Sequence, residues 1–220
     1  MLLLKPSIVN RQSIKNIIFD FGGVICNIDV KLTEQAFINL GLKQFDTDQT
    51  IADSKGLFER LEVGTITPEQ FRDELRNYFV NPVSDEEIDQ AWNALLLDIP
   101  EPRIRLIEKI RDNYRIFLLS NTNEIHYRCY AERFRKQFGY AGFDSLFEKA
   151  WLSHHIGLKK PSVEIFRHVM LHSRLNSSET LFIDDTLRHV EGARKAGLYG
   201  WHLDLSRGDE IMELFEKQNP

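Results

Sequence analysis

The chain has 220 residues, 42% of them apolar, with 15 Phe and a formal net charge of −5. That is enough apolar material for a real core, and it argues for one domain carrying a sizeable insertion. An acidic balance without a basic block argues against nucleic acid as a partner, and two cysteines, Cys26 and Cys129, are too few for a disulfide framework.

Three leucines in the opening "MLLLKPSIVN" are too few for a signal-peptide core or a membrane span. The expectation is a soluble, cytoplasmic protein, monomer or homodimer, with no membrane partner. In chain order, the first apolar run is 16–19, which ends at Asp20 and two glycines in "FDFGGVICNID". From 30 to 97 no strand pattern stands out. Amphipathic helices are predicted over 32–40, 51–61, 68–78 and 85–96, separated by turn signals at Gly41, Gly64 and Asn81–Pro82. A helix over 102–111 then precedes a strand over 115–119, and an amphipathic helix falls within 131–143. A weaker strand covers 149–152, followed by a helix over 161–172, a strand over 180–183, a helix over 188–196 stopped by Gly197, and a strand over 200–203. Strands alternating with helices predict an α/β fold: a Rossmann-like, doubly wound parallel sheet. The expected division is a core of residues 1–29 and 98–220, with an inserted all-helical cap at 30–97.

Ligands of such sheets bind beyond the carboxyl ends of the strands. The polar residues there are Asp20, Ser120 in "FLLSNTN", and Asp184 and Asp185 in "LFIDDT". Lys160 in "GLKKPSVEIF" directly precedes Pro161, which suits the first turn of a helix. Adjacent acids at one strand end repel unless something positive is near. Carboxylates are hard oxygen donors suited to Mg2+, and a carboxylate can attack phosphorus. A lysine, a hydroxyl and backbone N–H groups stabilise phosphoryl oxygens.

The order Asp, Ser, Lys, Asp–Asp resembles the four motifs of the haloacid-dehalogenase-like hydrolase superfamily, over nearly the whole chain. "FDFGGV", "LLSNTN", "GLKKPSVEIF" and "FIDDTLRHVEGARKAGL" are similar to motifs one to four. "SNTNEIH", "FERLEVGTIT" and "NALLLDIPEPRIRLIEKIR" look most like the bacterial α-D-glucose-1-phosphate phosphatase group. The resemblance implies a Mg2+-dependent phosphatase acting on a small phosphorylated metabolite, a sugar phosphate such as glucose 1-phosphate. Asp20 would be nucleophile and metal ligand, and Gly22 would offer its backbone carbonyl to the metal. Asp185 would be the direct acidic ligand from motif four, with Asp184 in support. Ser120 and Asn121 would hold the phosphate with Lys160, rather than Lys159, as the family lysine. Glu59, Arg60 and Glu62, in a charged turn of the cap, and His126 at the rim would face the substrate.

Most phosphatases of this superfamily carry a second Asp where this chain has Gly22. General acid–base help is worth about 10² to 10⁴ in rate, or roughly 3 to 5 kcal/mol. One explanation is a substrate with an acidic leaving group, such as a sugar 1-phosphate. A second is 2-haloacid dehalogenation, which the Asp–Asp pair disfavours because it would repel an anionic haloacid. A third is a regulatory protein that binds Mg2+ and a phosphorylated ligand with little or no turnover. Asp29 is expected to be structural, at the hinge into the cap. Cys26 reads as a small buried hydrophobe. His154 and His155 suggest a transition metal, but no third ligand stands at suitable spacing, so the pair reads as the side of a turn.

Overall fold

The computed structural model describes residues 2–4, 14–42 and 56–217. Five strands form one parallel sheet: β2 (Asn16–Phe19), β3 (Arg115–Ser120), β4 (Lys149–Leu152), β5 (Thr180–Asp184) and β6 (Tyr199–His202), in the order β4-β3-β2-β5-β6. Short strands β1 (Leu2–Leu4) and β7 (Phe215–Lys217) pair separately and antiparallel, which the sequence reading did not foresee. Around the sheet lie α5 (Glu101–Ile110), α6 (Glu124–Phe138), the one-turn α7 (Ser153–Ile156), α8 (Val163–Ser173) and α9 (Leu187–Lys195).

The continuous apolar runs are strands because both faces of the sheet are covered. Ile17, Phe19, Ile116, Leu118, Leu181 and Ile183 point to one face, against α5 and α6. Ile18, Phe117, Leu119 and Phe182 point to the other, against Ile165, Phe166 and Val169 of α8. Helices on both faces, with the strand order running outward from β2 in both directions, make the sheet doubly wound, as expected. The helix predicted over 161–172 begins at Val163, capped by Ser162. Pro161 therefore lies outside its first turn.

Between β2 and β3 stand α1 (Val30–Asn39), α2 (Leu57–Glu62), α3 (Pro68–Arg76) and α4 (Asp85–Asn93). The predicted helix over 51–61 is described only from 56 onward, since 51–55 lie outside the described residues. Helices α3 and α4 start where the sequence places them, because Thr67 with Gln70 and Ser84 with Glu87 form capping boxes. The four helices share an apolar cluster of their own, including Phe37, Leu61, Phe71, Leu75 and Ile88. Asp29 caps α1 through Lys31 N at 3.0 Å. The chain leaves and re-enters the sheet layer through two adjacent segments: Asp29 N donates to Leu95 O and Leu97 N to Asn27 O, both at 2.9 Å.

Cys26 is buried, and burial pushes its thiol up to about 12, as befits a packing residue. Among the described residues no helix is long and apolar enough to cross a membrane. Phe134 is fully buried on α6 and stacks on Phe143 at 4.8 Å. Phe134→Ala is expected to cost about 3–5 kcal/mol, measured as a lower urea midpoint with an unchanged slope.

Candidate active site

The C-terminal ends of β2, β3 and β5 meet at one side chain. The Lys160 ammonium donates to Asp20 Oδ1 at 2.7 Å, to Asp184 Oδ2 at 2.7 Å and to Leu119 O at 3.1 Å. An ammonium has three N–H groups, and all three are used. Its side chain is 0% exposed. The backbone of Lys160 is fixed from the end of β3: Lys160 N donates to Asn121 Oδ1 at 2.9 Å, and Asn121 Nδ2 donates to Lys160 O at 3.0 Å.

Asp20 sits where the β2 run stops, its N–H donating to Ile183 O at 2.9 Å. Its Oδ1 also accepts from Phe21 N at 2.7 Å. Asp184 is more heavily engaged. Besides Lys160, it accepts from Thr186 N at 2.8 Å and from His189 Nδ1 at 3.1 Å. Asp185 is half-buried, and the backbone of Gly23 runs against its carboxylate. A Cβ at Gly23, where φ is +74°, would lie 2.3 Å from Asp185 Oδ2.

Burial alone would lower the Lys160 pKa, but the charges of Asp184 and Asp20 outweigh it and hold the ammonium above its usual range. Burial likewise pushes Asp184 up, yet the Lys160 charge and the His189 hydrogen bond leave it well below the carboxylate range. Asp20 is pushed well above that range, by burial first and then by the Asp184 charge, with Lys160 acting in the opposite sense. Asp185 is also raised, by burial and then by Asp184. With all three carboxylates ionised, the set of three acids and one ammonium would sum to −2, a charge that a divalent cation balances. The donors are hard oxygens, and the close pass of Gly23 fixes one of them in place, so the residues fit Mg2+.

The sequence-predicted residues fall into two groups. Asp20, Ser120, Asn121, Lys160, Asp184 and Asp185 converge at the strand ends, and Gly22 directly precedes the Gly23 turn. Ser120 is the last residue of β3 and is buried. Asn121 was expected on the phosphate. Its amide clasps Lys160 and has one amide proton left over for such a contact. Glu59, Arg60 and Glu62 lie on α2 rather than in a turn, because Leu57 and Leu61 bury one face of that helix. Glu62 pairs with Lys159 at 2.7 Å, and Glu59 does so at 3.4 Å. Arg60 pairs with Glu74 at 2.5 Å. His126 is buried and stacks on Trp92 of α4, with Nδ1 2.9 Å from Asn93 Oδ1. Burial lowers its pKa to about 3, so its ring is a neutral joint between α4 and α6. The sequence reading missed His189. Its place one helical turn into "DDTLRH" was the available signal.

A family model for haloacid dehalogenase-like hydrolases matches residues 14–197. The chain belongs to the haloacid dehalogenase-like hydrolase family. It is 35% identical over 188 residues to D-ribitol-5-phosphate phosphatase of Bacteroides thetaiotaomicron, covering 84% of this chain and 89% of the relative. A family enzyme of B. thetaiotaomicron, solved with magnesium and inorganic phosphate, superposes with a TM-score of 0.83 at 34% identity, covering 92% of this chain and 100% of the other. A predicted family hydrolase of Porphyromonas gingivalis superposes with a TM-score of 0.77 at 32% identity, over 86% and 91% of the two chains. The expected fold, hydrolase class and magnesium chemistry agree with these relatives. The named relative acts on a sugar-alcohol phosphate, which corrects the closer likeness to α-D-glucose-1-phosphate phosphatase.

Because the Asp20 pKa is raised in the folded chain, its contribution to stability is present at low pH and lost as pH rises through the raised value. Asp184, being lowered, acts oppositely: its contribution is present above the ordinary carboxylate pKa and is lost as pH falls from there through the lowered value. In EDTA, Asp20→Asn is therefore expected to be more stable than the wild type at pH 8, with the gap closing on acidification. Thermal melts across pH check this, and a gap independent of pH contradicts it.

Proposed function

We propose that the chain is a Mg2+-dependent phosphatase for a small sugar or sugar-alcohol phosphate, working through an aspartyl-phosphate at Asp20. The observation that carries this reading is Lys160 bonded at 2.7 Å to both Asp20 and Asp184, with Asp185 alongside. Among the described residues, both hydrogen bonds to the Asp20 carboxylate run to Oδ1. That leaves Oδ2 to attack phosphorus while the bond from phosphorus to the departing alcohol oxygen breaks. Lys160 orients Asp20 and favours its ionised form against burial and the Asp184 charge. The Ser120 hydroxyl and the spare Asn121 amide proton donate to the phosphoryl oxygens. Water then attacks phosphorus, releasing phosphate and restoring the Asp20 carboxylate.

Asp20, the Gly22 carbonyl and Asp185 would hold Mg2+, with Asp184 supporting through Lys160. When bound, the ion supplies positive charge to the phosphoryl group. Residues 30–97 act as a cap that excludes water and selects the substrate. This is supported by the Glu62–Lys159 ion pair, which joins α2 to the residue beside Lys160. Two free cysteines suit a reducing, cytoplasmic setting.

Gly22 bears directly on the substrate. A sugar 1-phosphate leaves through an acidic hemiacetal hydroxyl, whereas an alditol phosphate leaves through an ordinary primary alcohol that needs a proton. A Cβ at Gly22 would meet Ile28 Cδ1 at 3.2 Å, so an acid there fits only if Ile28 yields slightly.

Phosphate release from D-ribitol 5-phosphate, glucose 1-phosphate and an aryl phosphate is expected to require Mg2+ and to fall more than about 10³-fold in Asp20→Asn. Release that survives EDTA or Asp20→Asn contradicts the reading, and binding without release favours the regulatory alternative. Gly22→Asp is expected to raise the ratio of alkyl to aryl phosphate turnover by about 10² or more. An unchanged ratio would mean that another group already protonates the leaving oxygen.

A further inference from the structure

His154 and His155 lack a third ligand in the local sequence, but the fold supplies one. Glu124, the first residue of α6, brings Oε2 to 3.4 Å from His154 Nε2 and 3.9 Å from His155 Nε2. The ligand-type atoms of all three residues lie within 4.8 Å of one another. The two imidazole rings are 4.2 Å apart.

The orientation of His154 is defined by its other nitrogen. Nδ1 lies 3.2 Å from the Thr122 carbonyl oxygen, which only accepts, so Nδ1 carries the proton. In the neutral ring Nε2 is then a lone pair. That atom is buried and, among the described residues, has no hydrogen-bond partner, and the His154 side chain is only 5% exposed. Burial, with His155 adding to it, lowers the His154 pKa and favours the neutral ring. A lone pair thus faces a carboxylate, and something electropositive belongs between them. The Nδ1 bond to a backbone carbonyl is the usual support that orients a metal-bound histidine.

We propose that Glu124, His154 and His155 form a second metal site, for a borderline divalent transition ion such as Zn2+, separate from the Asp20 site. Two imidazoles and one carboxylate suit such an ion and disfavour Mg2+, which takes oxygen donors. Three protein ligands leave a coordination position open. The site opens to solvent on the side of His155, whose side chain is 54% exposed. Arg128 Nε donates to Glu124 Oε1 at 2.7 Å, so Oε2 is the oxygen that turns to the ion.

A bound ion ties the start of α6 to α7. Both border the 120–123 segment that carries Ser120 and Asn121. Ser153 Oγ donates to Thr122 O at 2.8 Å, and the turn at Gly64 packs on the His154 carbonyl so closely that a Cβ would lie 2.1 Å from it. The ion would therefore stiffen the phosphate-side loop and its contact with the helical insert from outside the reaction centre.

The full-length protein, stripped with EDTA, dialysed and held in excess Mg2+, is titrated with Zn2+ in a calorimeter. One Zn2+ per chain is expected, with affinity weakened at least tenfold by His155→Ala and by Glu124→Gln, at least the loss that outer-shell changes cause. Both variants change residues with solvent-exposed surface, and circular dichroism verifies their fold. Cu2+ in place of Zn2+ is expected to show nitrogen hyperfine coupling from two imidazoles, which the oxygen donors proposed for the Asp20 site do not give. No uptake beyond Mg2+, affinity unchanged in both variants, or a Cu2+ spectrum without nitrogen coupling would overturn the proposal and leave a plain Glu–His contact.

Discussion

A single buried ammonium organises this molecule. Lys160 has no water to solvate it, so its charge must be met by protein, and each of its three protons is directed at the end of a different strand. Removing a buried charge from its partners costs about 3–5 kcal/mol, so the three strand ends are held in mutual register by the same group that the chemistry uses. The two acids respond unequally. Asp184 also takes Thr186 N and His189, and so remains a fixed anion. Asp20 has fewer supports, and its ionised form is destabilised. A carboxylate held in that state is reactive once positive charge is supplied.

The sheet explains why the arrangement is possible. β2 is central, flanked by β3 and β5, so Asp20 emerges between Ser120 and Asp184. Lys160 comes from outside the sheet, from the connection between β4 and α8. Its reach depends on the Asn121 clasp, which sets its backbone from the end of β3. The helical insert touches the same region through Glu62, Lys159 and Ser153. The groups that would do chemistry and those that would sense a substrate are thus in physical continuity across a few residues.

Much of the core was legible in the sequence for a plain reason. Strands buried on both faces must be continuous apolar runs, and 16–19, 115–119 and 180–183 are such runs. The starts of α3 and α4 were legible because capping boxes are local. The polar residues of the site were legible as strand-end residues. What they touch was not. That Asn121 would spend its amide on Lys160 depends on a contact across 39 positions. His126 looked like a rim residue because nothing near it in sequence announces that Trp92 will stack on it. The third partner of the His154–His155 pair lies about 30 positions upstream, beyond any spacing rule for a local ligand motif. The pairing of β1 with β7 joins opposite ends of the chain and left no local pattern.

The central claim is that Asp20 forms a covalent bond to phosphorus. The most direct measurement is rapid acid quench of the enzyme during turnover of a phosphate monoester with Mg2+, followed by mass spectrometry of the peptide bearing residue 20. A phosphoryl group on Asp20 that appears during turnover and decays as substrate is consumed is the expected result. Turnover with no phosphoryl group on Asp20, or with the group on another residue, would contradict the account.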